Sequence, residues 1–119
     1  MRDDAVYLAH IAESLALVDR YLAAPDGGHD ERRFFDDSFT QDAVLRRLET
    51  LSDGAGHLSD ALKRRHPEVS WRAVTDFRNV LAHEYTDLDL PSIWQTIRDD
   101  LPVLQRAVAA EILRLGGSG

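Results

Sequence analysis

An all-α fold with four main antiparallel helices is what this sequence predicts, on three observations. Apolar residues recur at alternating steps of three and four, and no stretch alternates apolar and polar residues as a half-buried strand does. The helical segments are also separated by proline, glycine and capping residues. A length of 119 residues fits one domain, read as residues 1–115, while the closing Gly116-Gly117-Ser118-Gly119 reads as a flexible linker-like tail.

The first helix is predicted over residues 4–24, where Leu8, Ile11, Ala12, Leu15, Val18 and Leu22 form one face and Asp3 or Asp4 serves as N-cap. Pro25-Asp26-Gly27-Gly28 ends it. The acidic, aromatic stretch to Phe39 holds at most one helical turn, packed by its phenylalanines, and Ser38 or Thr40 caps the second helix. In that helix Val44, Leu48, Leu51, Ala55, Leu58 and Leu62 make a heptad-like seam that needs a helical neighbour. Gly54 and Gly56 lie inside that seam, where each costs roughly 1 kcal/mol relative to alanine, so close approach of another backbone is expected there. The run Lys63-Arg64-Arg65-His66 before Pro67 complements the dipole of a helix end, with phosphate contact as the alternative. Ser70 caps a third helix with Trp71, Val74, Arg78, Leu81 and Tyr85 on one stripe and Phe77 beside it. Pro91 suits the first turn of a last helix, whose face runs Ile93, Trp94, Ile97, Leu101, Leu104, Val108, Ile112 and Leu115. Pro102 kinks this helix, unless Asp100 restarts it as a new cap.

Composition removes several function classes. No cysteine is present, which excludes disulfides, thiolate metal sites and cysteine nucleophiles, and makes the cytoplasm the default location. No apolar run is long enough for a membrane span or a signal peptide, so no membrane is expected. The net charge of −7 opposes loose phosphate binding, but it is unevenly spread: −5 over residues 1–31, +1 over 32–78 and −3 over 79–119. Thirteen of the fourteen basic residues are arginine, the side chain whose planar fork best matches a phosphate.

The sequence has no phosphate-binding glycine loop, nucleophile elbow or His-Glu-x-x-His. His10, His29 and His57 read as solvated or locally bonded, and His66 belongs to the basic helix end. The segment Phe77-Arg78-Asn79-Val80-Leu81-Ala82-His83-Glu84-Tyr85 differs, because it gathers side chains suited to phosphoryl chemistry. His83 can move a proton near neutral pH, Arg78 can neutralise charge developing on a phosphorane, and Tyr85 can donate a hydrogen bond or accept a transferred group. On an ideal helix Arg78 and Tyr85 are nearly in register, but His83 lies about 140° from Arg78, so one straight helix cannot aim all three at one atom. Either the helix unwinds before His83, or a second copy completes the site across a two-fold axis. An arginine on the apolar stripe favours the dimer, since a buried unpaired guanidinium is costly. The plainer alternative pairs Arg78 with Asp76 or an acid of another helix and leaves His83 at a helix end.

Arg78, four residues, His83, one residue, Tyr85 resembles the Arg-x4-His-x-Tyr signature of HepT-like toxins in the HEPN superfamily, and Asn79 matches the polar residue that usually follows the arginine. The likeness extends to Arg2 through Leu8, Thr40 through Val44, Ser59-Asp60, His66 through Arg72, and Trp94 through Pro102; Asp53-Gly54-Ala55-Gly56 departs from it. The resemblance implies an α-helical homodimer whose facing motifs cleave RNA without a metal or cofactor. Arg78 and His83 would be its catalytic residues, with Asn79 and Tyr85 in support. It further implies a toxin–antitoxin pair with an MntA-like nucleotidyltransferase, which neutralises the toxin by attaching AMP to Tyr85. A non-catalytic HEPN dimer that binds the nucleotidyltransferase or presents a tyrosine to it is the alternative.

Overall fold

In the computed structural model, residues 2–83 and 89–117 are described, with side chains over 3–78 and 89–116. Among these residues the chain forms seven helices and no strand: α1 (Arg2–Tyr21), α2 (Glu31–Asp36), α3 (Ser38–Gly56), α4 (Asp60–Arg65), α5 (Trp71–His83), α6 (Leu90–Asp99) and α7 (Leu101–Gly117). The all-α prediction holds. Its second and fourth helices are each realised as two segments, α3 with α4 and α6 with α7, and the turn expected in the thirties is α2.

Contacts along α1 set the core. Tyr7 stacks on His57 with ring centroids 4.7 Å apart, Ile11 lies against Gly54, and Asp19 accepts a bond from Gln105 of α7 at 3.3 Å. Thus α3 and α7 both run antiparallel to α1. Leu8, Ile11, Leu15, Val18 and Leu22 are buried against Val44, Leu48, Leu51 and Leu104, as their helical spacing requires. A β-carbon on Gly54 would approach Ile11 Cγ1 to 3.1 Å but Tyr7 O only to 3.8 Å, so the close neighbour at Gly54 is a side chain of α1 rather than the expected backbone. Gly56 has open space instead and sits at the end of α3.

The caps refine the predicted boundaries. Asp37, rather than Ser38 or Thr40, caps α3: its carboxylate accepts from Phe39 N–H at 3.1 Å and Thr40 Oγ at 2.9 Å. The seam breaks at His57–Ser59 because Ser59 starts a new helix, its Oγ accepting from Leu62 N–H at 3.2 Å. Asp4 is not an N-cap but a buried residue in the first turn of α1, accepting from Ser59 N–H at 2.8 Å and Ser59 Oγ at 2.7 Å. One carboxylate therefore anchors the cap of another helix. Asp100 restarts the last helix, since its N–H donates to Thr96 O and its carbonyl accepts from Leu104 N–H. Pro102 then falls in the first turn of α7, where its missing N–H breaks no helical bond. Asp89 caps α6, with Pro91 in the first turn as expected.

Phe34 of α2 is fully buried and stacks on Trp94 of α6 at 5.4 Å, with Phe35 6.0 Å from the same indole. Two of the four residues of the basic run, Arg65 and His66, are structural. Arg65 makes a two-pronged bond to Glu111 of α7 at 2.8 and 3.2 Å, and His66 Nε2 lies 2.6 Å from the same carboxylate. Trp71 Nε1 donates to the carbonyls of Lys63 and His66, closing the end of α4. No described helix is long and apolar enough to cross a membrane.

Candidate active site on helices three and five

Helix α5 carries the motif, and its seating on α3 decides how Arg78 is presented. Val74 and Phe77 bury one side of α5, while Ser52 of α3, itself buried, bonds the two helices. Ser52 Oγ donates to Thr75 O at 2.9 Å and accepts from Arg78 N–H at 3.0 Å. The backbone at Arg78 is thereby tied to the neighbouring helix. Its side chain turns outward: Arg78 Nη1 donates to Asp53 Oδ1 at 3.1 Å, and both side chains are more than half exposed. His57, one turn beyond, brings Nε2 to 3.9 Å from the same Asp53 oxygen and rests on the ring of Tyr7.

Arg78 is thus not a buried guanidinium awaiting a partner, as its place on the apolar stripe suggested; an acid of another helix, Asp53, neutralises it at the surface. The geometric expectation is sharpened. Helix α5 runs unbroken to His83, so the helix does not unwind before that residue, and the backbone positions 78 and 83 stand about 140° apart around it. Asn79 and His83 are placed by their backbone within α5, whereas Tyr85 lies outside the described residues.

Ser52 and Asp53 were not assigned to this site by sequence, and His57 was read only as solvated or locally bonded. Two adjacent polar residues, Ser52 and Asp53, between the seam positions Leu51 and Ala55 were the available signal. A serine on the inner side of a helix needs a partner, and a helix backbone supplies one. Among the described residues, no three His, Asp or Glu side chains are grouped to hold a metal ion.

The described histidines away from the motif have local partners or stand exposed, as expected. His29 Nε2 lies 2.8 Å from Asp19, and His10 is exposed. His66 differs in being enclosed by two carboxylates, Glu111 and Glu68 at 3.1 Å. Burial opposes its charge, but these bonds prevail and raise its pKa above the ordinary histidine value. Glu111, held chiefly by Arg65 and then by His66, is lowered to about 2.

Comparison with known proteins finds matches over most of the chain. The family model described as ribonuclease HepT-like matches residues 11–111. The chain is 32% identical over 102 residues to "Probable ribonuclease HepT" of Thermococcus cleftensis, covering 83% of this chain and 86% of that one. It is 28% identical over 114 residues to a "Putative RNase" of Caldanaerobacter subterraneus, covering 96% and 97%. A "Gamma-glutamylcyclotransferase and putative RNase" of Methanocaldococcus jannaschii is 30% identical over 107 residues, and there the match spans 90% of this chain but only 46% of the relative. No solved structure matches. With the family model spanning α5 and the helices that seat it, the chain belongs to the HepT-like ribonuclease family.

Proposed function

We propose that this chain is a metal-independent endoribonuclease, the toxin of a HEPN/nucleotidyltransferase toxin–antitoxin pair, and that two copies build its active site. The observation that carries the reading is Arg78: within the matched region, it stands at the surface on a backbone fixed by Ser52, paired among the described residues with an exposed carboxylate, Asp53, that a phosphate can displace. Exposed ion pairs of this kind are worth about 0–1 kcal/mol, so displacement is cheap.

In the reaction, a ribose 2′-oxygen attacks the adjacent phosphorus and loses its proton to a general base, for which His83 has the suitable chemistry. The new O2′–P bond replaces the P–O5′ bond, leaving a cyclic phosphate on one fragment and a protonated 5′-oxygen on the other. Arg78 stabilises the charge gathering on the phosphoryl oxygens, with Asn79 and Tyr85 as supporting donors. On an unbroken α5 the backbone positions 78 and 83 lie about 140° apart, which supports a composite site in which the two copies contribute facing motifs.

Incubation of the purified protein with RNA in EDTA tests this. Cleavage is expected, and His83→Ala abolishes it; intact wild-type protein that cleaves no RNA class overturns the reading. Regulation stems from the tyrosine. A nucleotidyltransferase partner transfers AMP from ATP to the Tyr85 oxygen with release of pyrophosphate, placing bulk and negative charge beside the motif. Co-expression with such a partner adds the mass of AMP, and Tyr85→Phe prevents the addition. The Asp53–Arg78 pair also favours a second reading, a non-catalytic dimer that serves the nucleotidyltransferase, because the free chain holds its key cation neutralised. Acceptance of AMP without RNA cleavage selects it.

A further inference from the structure

We propose that the depression at the amino-terminal end of α3, lined by Arg20, Tyr21, Arg33, Phe39, Thr40 and Ala43, holds an unpaired base and its flanking phosphates from a single-stranded RNA that reaches Arg78. This site rests on the ribonuclease reading for its ligand and on separate residues for its evidence.

Phe39 is 87% exposed, whereas Phe34 and Phe77 are buried and Phe35 packs on the core. An aromatic ring left in water contributes nothing to folding, yet the backbone that presents this one is anchored, since Asp37 accepts from the Phe39 N–H and the neighbouring Thr40 hydroxyl. A depression of about 390 Å³ lies beside it, with cations from two further helices. Arg20 makes no ion pair or side-chain hydrogen bond among the described residues, and the Arg33 guanidinium has only a long bond, 3.4 Å, to Tyr21 O. The nearby acids are engaged: Asp30 caps α2, Asp37 caps α3, and Asp36 faces Arg32. An aromatic platform beside guanidinium groups that make no ion pair among the described residues is the arrangement that binds single strands without reading their sequence.

Position ties this depression to the motif. Phe39, Arg46 and Asp53 are spaced by seven on α3, so they lie within about 40° of one another over roughly 20 Å of helix. Asp53 holds Arg78, and exposed Arg46 sits midway. Asp42 and Glu49 fall to one side of this line, which confines a polyanion to the other. A strand of several nucleotides spans the distance; a dinucleotide does not.

Anisotropy of a labelled, unstructured RNA of about 12 nucleotides, measured on the His83→Ala background, tests the site. Phe39→Ala and Phe39→Leu are expected to weaken binding about tenfold while Phe39→Trp retains it, because the ring face and not apolar area makes the contact. Arg20→Gln lowers the dependence of log affinity on log salt by about one. With His83 intact, Phe39→Ala cleaves a dinucleotide as wild type does and raises KM for the longer strand. Unchanged affinity in Phe39→Ala overturns the proposal, as does full binding by Phe39→Leu, or a Phe39→Ala effect confined to the sedimentation of the protein with itself. The two readings fail separately. Phe39-dependent binding without cleavage by wild type removes the ribonuclease reading and keeps this site; His83-dependent cleavage of long RNA indifferent to Phe39 does the reverse.

Discussion

Ser52 and Asp53 sit side by side on α3 and do different work for Arg78. Ser52 is 1% exposed and satisfies both Thr75 O and Arg78 N–H, so Ser52→Ala leaves buried backbone groups short of a partner. A loss of about 1–2 kcal/mol in unfolding free energy is expected, read from urea denaturation. Asp53 is more than half exposed, and Asp53→Asn is expected to change stability by less than about 1 kcal/mol. Its effect falls on the ligand: with the competing carboxylate gone, RNA affinity rises a few-fold, and a drop in affinity would instead mark Asp53 as a residue that orients Arg78 for phosphate. Arg78 and His83 were legible as a pair of chemical groups because their residue types and spacing are unusual in a helix. The partner of Arg78 was not legible, because no local pattern tells which acid a folded neighbour brings within 3.1 Å.

Helices were legible wherever a face was apolar. The spacing that marks Leu8, Ile11 and Leu15, or Val44, Leu48 and Leu51, is the spacing that buries them. What spacing does not reveal is a change of helix within a continuous face. Leu58 and Leu62 keep the seam's register and are buried, yet Ser59 starts a new helix between them because Asp4, 55 positions earlier, supplies the acceptor that fixes its N–H and hydroxyl. The two glycines of α3 show the same distinction between pattern and environment. Gly56 faces open space at ordinary backbone angles, so Gly56→Ala is expected to raise stability by about 0.5–1 kcal/mol through the unfolded chain and helix propensity. Gly54 is pressed by Ile11 at 3.1 Å, so Gly54→Ala forfeits most of that gain, and Gly54→Val costs on the order of 2 kcal/mol as α1 is pushed from α3. Thermal melts of the three variants should rank Gly56→Ala above wild type and Gly54→Val well below it; a stabilised Gly54→Val would mean that α1 and α3 are not in close contact.

Across the whole molecule, charge is arranged to hold the chain's ends to its middle as well as to meet a substrate. Two residues of the basic run at the end of α4, for which phosphate contact is the alternative reading, are drawn onto α7, where Glu111 joins Arg65 and His66 and Arg114 stands 3.6 Å away from that carboxylate. This linkage predicts a stability profile with two limits. Glu111 has a folded pKa of about 2 against an ordinary 4.5, so its contribution is complete above pH about 4.5 and is lost as pH falls toward 2. His66 has a folded pKa above its ordinary 6.5, so its contribution is complete below that value and is lost as pH rises through the folded pKa. The linkage is therefore strongest between pH about 4.5 and 6.5, where Glu111 is ionised and His66 is charged. Glu111→Gln removes the carboxylate from both partners and is expected to cost about 2 kcal/mol, roughly 8 °C in Tm, at pH about 6. His66→Gln should flatten the alkaline limb and only weaken the acid limb, which Arg65 chiefly sets. Melting curves from about pH 3 to about pH 9 distinguish these effects, and a His66→Gln profile that falls above neutral pH as steeply as wild type would show that another group governs the loss.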